Sequence, residues 1–411
     1  MMSALKPHDV GQPDSRTLAT LLRPHHAREA LARFCGARRH KIERMHFSAS
    51  RPLAIDYRIW RPDGVEQTVF AQWIGSDAVS FARAETDRLQ KSRRGQLRKG
   101  DTSALLGDTR SGLVLRYPGL DGRLPGLRML HQAQAARDFA VRFPGVTAIK
   151  VSLRAHRLGK RAVLQFDFLG GQPRRAFVRL RPVSSLSGRR AYERHVALYK
   201  RLRGAVALPE PLGFASEFGA SGFSALPGVV PTFKGGELVL IAGALYRLQR
   251  VRDLPIEHHS VADELSLLES WCDRVRQVFP DRSALFLAAF DRVCHDLLSL
   301  PNMPAVPCHR DFHEGQILVD GSDVGLLDFD TLRLGDPALD PGNLLAHLRL
   351  AAIRTDQSLP ADEAAFLKAM ELVPADRIIA WKRAALLRLA AIYSFTSEPP
   401  DRQRQLLHEV V

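Results

Sequence analysis

Between residues 306 and 347 the chain gathers side chains that could do chemistry. The segment reads Val-Pro-Cys-His-Arg-Asp-Phe-His-Glu-Gly-Gln-Ile-Leu-Val-Asp-Gly from Val306. It continues Val-Gly-Leu-Leu-Asp-Phe-Asp from Val324 and Gly-Asp-Pro-Ala-Leu-Asp-Pro from Gly335. Asp311 precedes a short apolar run, Ile317-Leu318-Val319. Asp320-Gly321 is a hairpin signal, and a second apolar run ends at Asp328. This predicts loop, strand, tight turn, strand. The hairpin folds Asp328 back beside Gln316, with Asp311 on the loop ahead. One carboxylate can then orient a hydroxyl and accept its proton while other oxygen donors hold a divalent ion. Phosphoryl transfer needs that combination.

The order and spacing also match a known pattern. Kinases show His-Arg-Asp, four residues, Asn, and later Asp-Phe-Gly. Here the order is His309-Arg310-Asp311, four residues, Gln316, then Asp328-Phe329-Asp330. With the tail Gly335-Asp336-Pro337-Ala338-Leu339-Asp340, this resembles the aminoglycoside phosphotransferase and choline kinase family over residues 146–411. The resemblance implies an α+β, protein-kinase-like bilobal fold with a β-rich small lobe and a helical large lobe. It implies phosphorylation of a hydroxyl on a small molecule, with Mg2+ and with ATP (or GTP) as co-substrate. Asp311 would be the catalytic base or orienter, Asp328 the main metal ligand and Gln316 a weaker second. Asp330 would help the metal or hold the loop. His309 and Asp340 would brace the catalytic loop. Asp340 also reads as a helix N-cap, with Pro341 in the first helical position.

The elements that must position these groups lie upstream. Val146–Leu153, Ala162–Phe168 and Ala176–Leu180 read as three strands with turns at Leu158-Gly159-Lys160 and Gly170-Gly171. The resemblance places a cation on the third strand to meet nucleotide phosphates and a Glu on the next helix to hold that cation. Those positions are Arg179, where the family has lysine, and Glu193. No Gly-x-Gly-x-x-Gly is present, so the turn at Leu158-Gly159-Lys160, with Lys160, is expected to cover the phosphates less specifically.

A similar pattern occurs earlier. Lys41–Trp73 reads as three strands, Ala84–Arg94 as helix, Ser92–Gly112 as loop and Val114–Tyr117 as a further strand. Ile42 falls on Ile149, Ile59 on Phe166, Gly64 on Gly171 and Phe70 on Phe177, at one constant offset. This predicts an internal duplication, with Gln72 opposite Arg179 and no catalytic cation in the first copy. The expected domains are a helical extension (1–35), a small-lobe-like repeat (36–130), the small lobe (131–228) and a helical large lobe (229–411). Ser260-Val261-Ala262-Asp263 reads as a capping box opening one of its helices.

Composition narrows the class. A chain of 411 residues with 45% hydrophobic and 25% charged residues is long and apolar enough for two or three cores. Four scattered cysteines give no disulfide or zinc framework and point to a cytoplasmic setting. Cys308 reads as a buried neutral thiol. No signal peptide or membrane span is evident. The net charge of +15 comes mostly from arginine. It lacks the interleaved aromatics of a nucleic-acid surface and favours a neutral or anionic acceptor. Two rivals remain. The lost lysine and the Gln316 exchange suit a pseudokinase acting as a binding or scaffold module. Alternation of His309, Asp311 and His313 suits a metallohydrolase.

Overall fold

The computed structural model describes residues 12–48, 51–90, 95–98, 100–143, 145–171, 173–183, 187–233, 236–355 and 363–411. The chain divides into two compact units. The first comprises 1–190, 212–224 and 395–397. The second comprises 191–211, 225–394 and 398–411.

The first unit holds two five-stranded sheets of one topology. Strands β1 (Arg39–His46), β2 (Ala54–Trp60), β3 (Glu66–Trp73), β4 (Leu105–Asp108) and β5 (Leu113–Arg116) lie in the order β1-β2-β3-β5-β4. Strands β6 (Ala148–Arg157), β7 (Arg161–Leu169), β8 (Arg175–Leu180), β9 (Pro211–Ala215) and β10 (Ala220–Ser224) lie in the order β6-β7-β8-β10-β9. In each set a helix follows the third strand, Ala78–Gln90 in one and Ser187–Leu202 in the other. The duplicated sheet expected from sequence is therefore present, though its offset is not rigid. Ile59 pairs with Gln67, but its counterpart Phe166 pairs with Ala176 rather than Arg174.

Strand β4 lies inside the stretch expected to be loop, of which 92–94 and 99 fall outside the described residues. Its four residues carry little local signal. Pairing with β5 decides their conformation, and Leu105 is buried there.

Alternation builds the second sheet's core. Ala162, Leu164, Phe166 and Phe168 of β7 and Ala176, Val178 and Leu180 of β8 share one buried face with Phe139 from the helix Ala133–Ala140. Arg179 is on the opposite face of β8, between Val163 and Ser221 in the ladder. Its guanidinium carbon lies 5.5 Å from the centre of the Phe223 ring.

The two copies touch through the β6–β7 turn. Leu158 packs with Ala54 and Phe70, and the His156 ring meets Phe70 edge-on at 5.0 Å. On β1, at the edge of the first sheet, the far end of the chain bonds to Ile42. Ser397 donates its amide to the Ile42 carbonyl at 2.9 Å and accepts the Ile42 amide on its hydroxyl at 2.8 Å.

The second unit is mainly helical. Its long helices are Glu237–Gln249, Val261–Val278, Ser283–Ser299, Leu339–Thr355 and Ala375–Tyr393. Ser260 and Asp263 form the expected capping box. Two small sheets stand among the helices. In one, β11 (Val306–Cys308) pairs with β14 (Arg333–Gly335). In the other, β12 (Ile317–Asp320) pairs with β13 (Asp323–Leu326). No helix among the described residues is long and apolar enough to cross a membrane.

Candidate active site

The loop from His309 to Gln316 joins β11 to β12, and the turn from Asp328 to Thr331 leads from β13 to β14. The β12–β13 ladder runs from Ile317↔Leu326 to Asp320↔Asp323, and Gly321 supplies the positive φ of the turn. One more bond, from the Leu327 amide to the Gln316 carbonyl at 2.9 Å, carries the pairing beyond the ladder. It brings the backbone ahead of Asp328 alongside Gln316, as the hairpin reading required.

Both segments contain a non-glycine residue in the left-handed region, Arg310 at φ 67° and Asp328 at φ 56°. Such residues cost about 1 kcal/mol or more unless their surroundings fix them. Around Arg310 the fixing is explicit. Asp340 accepts the amides of His309 at 2.6 Å and Arg310 at 2.7 Å, and Thr331 donates its hydroxyl to the His309 carbonyl at 2.7 Å. Burial raises the Asp340 pKa, although His309 and the two amides pull it down. Asp340 is thus not the N-cap expected from sequence. It lies inside the helix Leu339–Thr355, and its carboxylate is engaged by amides thirty residues away.

His309 is fully buried. Its Nε2–H donates to the Leu327 carbonyl at 2.6 Å, and its Nδ1 faces the Asp311 amide at 3.4 Å. With both ring nitrogens turned to backbone, His309 cannot also serve the metal set of the metallohydrolase reading. Among the described residues, the metal-ligating atoms that cluster within 4.8 Å belong instead to His313, Glu314 and His347. His313 there already accepts the Gly315 amide on Nδ1 at 3.1 Å. His347 stacks on His313, and its pKa is lowered to about 3 by burial and then by the neighbouring His313.

A second layer of support was not visible in the sequence reading. Asn343 donates to the Phe312 carbonyl at 2.9 Å, and Arg388 donates to the Asn343 carboxamide oxygen and to Glu264. Glu264 also accepts from His259 at 2.8 Å, and the His259 amide returns to the Leu334 carbonyl of β14 at 2.7 Å. Asn343 follows Asp340 by three positions, so both face the loop from one side of a helix. A polar residue so placed among leucines was the available signal. The Glu264 pKa falls to about 2. Burial alone would raise it, but Arg388 and His259 prevail.

The tail Gly335-Asp336-Pro337 is held by a buried ion pair. Arg377 reaches Asp336 through Nε at 3.0 Å and through a terminal nitrogen at 2.6 Å. Cys308 is fully buried and its pKa is pushed well up by burial, which makes it the neutral thiol expected.

Asp311, Gln316, Asp328 and Asp330 are all partly exposed, in contrast to the buried groups that brace them. The Gln316 amide meets His313 Nε2 at 3.3 Å. Arg194, next to Glu193 on the helix Ser187–Leu202, donates to the Asp330 carbonyl at 3.2 Å. Arg179 belongs to the first unit and Glu193 to the second. Lys160 lines a cavity between the two sheets of the first unit.

No curated protein sequence matches the chain. Among solved structures, it is similar to a choline/ethanolamine kinase family protein from Mesorhizobium loti. The match has 15% identity and a TM-score of 0.48, covering 68% of this chain and 98% of that one. It is similar to an aminoglycoside phosphotransferase, APH(4)-Ia, in ternary complex with AMP-PNP and hygromycin B. There the identity is 16% and the TM-score 0.47, over 67% and 96% of the two chains. A macrolide 2'-phosphotransferase type I matches at 19% identity and TM-score 0.47, over 68% and 97%. Residues 158–394 match the model of the phosphotransferase enzyme family. That span is more than half of the chain and contains the whole of the braced loop and hairpin, so the protein belongs to the phosphotransferase enzyme family.

Proposed function

We propose that the protein is a small-molecule kinase that moves the terminal phosphoryl group of ATP to a hydroxyl. The observation that carries this reading is the coupling of the two acidic segments. His309, two residues before Asp311, is bonded to Leu327, one residue before Asp328. A carboxylate that handles the hydroxyl and a carboxylate that handles the metal must keep a fixed separation, and this bond, with those from Thr331 to His309 and from Leu327 to Gln316, holds the two segments together.

In this reading Asp311 accepts the acceptor's proton and orients its oxygen. Asp328 and Asp330 flank Phe329 on one short turn and offer hard oxygen donors, which suits magnesium. The bound ion would neutralise charge on the nucleotide phosphates. Gln316 would be a weaker donor. Arg179 would meet the phosphates, and Glu193 would position it. Arginine can do both because its planar fork takes a carboxylate and still offers a donor to phosphate.

The test is ADP release with magnesium and ATP or GTP across a panel of hydroxyl-bearing metabolites, neutral and anionic ones first. Acceptor-dependent ADP release that disappears in Asp311→Asn is the expected result. Nucleotide binding without turnover on any acceptor would favour the pseudokinase reading.

A further inference from the structure

A cavity of about 40 Å³ opens between the two sheets of the first unit, and every residue that lines it lies between 46 and 160. Its cations are Arg51, Arg88, Arg123, Arg157 and Lys160, and His46 also lines it. A water needs roughly 10–15 Å³ on this measure. The space therefore admits a group the size of a few waters and excludes a nucleoside.

Two carboxylates also line it, but both are engaged. Asp121 accepts the Gly159 amide, the His156 Nε2–H at 3.3 Å and the Arg123 amide at 2.9 Å. Glu85 accepts from buried Arg116 at 3.1 Å and from the Gly122 amide at 3.2 Å, with Arg88 at 3.3 Å. Among the described residues, no carboxylate lies within ion-pair distance of the Arg51 or Arg123 guanidinium or of the Lys160 ammonium. Arg51 and Arg123 both lie against Gly159. A Cβ built there would come 3.6 Å from Arg51 Cδ and 3.7 Å from Arg123 Cδ.

Like charges held this close disfavour one another. The Arg51 pKa is lowered by burial and then by Arg123, an effect that the Asp121 carboxylate offsets only in part. The Lys160 pKa is lowered by burial and then by Arg157, Arg161, Arg51 and Arg181. Such a cavity has a natural occupant in a small dianion, which arginine forks and a lysine point charge bind well. We propose that this cavity is a binding site for a phosphate group, formed jointly by the two sheet copies around the Leu158–Lys160 turn. Lys160 then acts at this site, where the bound anion ties the β6–β7 turn to the first copy. The arginines Arg51 and Arg123 belong to the added copy and its connection, outside the span matched by the family.

The experiment uses the full chain in chloride buffer without nucleotide, titrated calorimetrically with inorganic phosphate and, separately, with glycerol 3-phosphate. Thermal melting is followed in parallel. One phosphate should bind per chain and raise the Tm. Arg51→Gln and Arg123→Gln should each weaken binding at least tenfold. Without phosphate, each should melt at or above the wild-type temperature, because a repulsive neighbour has been removed. Asp328→Ala should bind phosphate as the wild type does. Binding of both probes would support a phosphate group carried by a larger molecule, and binding of inorganic phosphate alone would support the free anion. Three results would overturn the proposal: no phosphate binding, unchanged binding in both arginine variants, or a lower Tm in both variants without phosphate. The last would show that the arginines are structural.

Discussion

His309 donates its Nε2–H to the carbonyl of Leu327 at 2.6 Å, which ties the loop that carries Asp311 to the segment leading from β13 into Asp328. A buried side chain between two functional segments should affect both when it is removed. His309→Ala should lose nucleotide binding and turnover together. It should also lower stability by about 3 kcal/mol, since it leaves the Leu327 carbonyl without its partner and opens a cavity where the buried ring was. Denaturant unfolding, nucleotide titration and turnover on the same preparation check this. A variant that loses turnover alone, with stability intact, would give His309 a chemical role instead.

Asp311 and Asp328 should separate. Asp311→Asn should keep magnesium-nucleotide binding and lose turnover by on the order of a hundredfold or more, as expected when an oriented base is removed. Asp328→Ala should lose magnesium-nucleotide binding itself. Titration of both variants with a non-hydrolysable ATP analogue distinguishes them, and equal losses of affinity would show that the roles are not divided this way.

Gln316 makes a narrower prediction. His313 accepts the Gly315 amide on Nδ1, so neutral His313 carries its proton on Nε2, the atom that faces Gln316. Two donors do not face each other, so the carboxamide should present its oxygen to His313. Gln316→Asn shortens the side chain and frees that oxygen. It should keep or raise activity at low magnesium, measured as the magnesium concentration for half-maximal turnover. A tenfold loss, about 1.4 kcal/mol, would mean that Gln316 works by holding His313.

The buried Glu264 predicts an acid limb. Its pKa in the folded chain is about 2, below the ordinary carboxylate value of 4.5. The unfolded chain therefore takes up a proton first as pH falls. The stabilisation is full above about pH 4.5 and is lost progressively towards pH 2, about 3 kcal/mol in all. Glu264→Gln should melt lower at neutral pH and show a shallower fall in Tm between pH 4.5 and 3. Parallel pH curves for the two proteins would contradict the assignment.

Local chemistry was legible in the sequence. The Asp320-Gly321 turn, the capping box at Ser260 and the alternation of β7 and β8 depend on residues only a few positions apart. They could be read before any tertiary contact was known. The same holds for the order of Asp311, Gln316 and Asp328 around one hairpin. What escaped depends on partners distant in sequence. Asp340 has the local signature of a cap, yet the amides it serves are those of His309 and Arg310. β4 exists because β5 lies beside it. Most hidden of all was the first copy's interior. There Gln72, the counterpart of Arg179, accepts a hydrogen bond from Arg116 at 2.7 Å, and Arg116 in turn pairs with Glu85 on the following helix. The cation missing from the third strand is supplied by the fifth, and no spacing rule would have shown that.

The bond between Ile42 and Ser397 has a consequence for how the chain is made. The two residues are separated by 355 positions. At usual rates of synthesis that is roughly 20 to 70 s between the emergence of one and of the other. Strand and helix formation takes microseconds. All five strands of the first sheet are therefore synthesised, and β1 lacks its partner at Ile42, while most of the second unit is still being translated. An exposed strand edge is the kind of surface that pairs with the wrong neighbour. Nascent chains on one message, each displaying β1 before its own Ser397 exists, are the setting in which this protein is most exposed to misassembly.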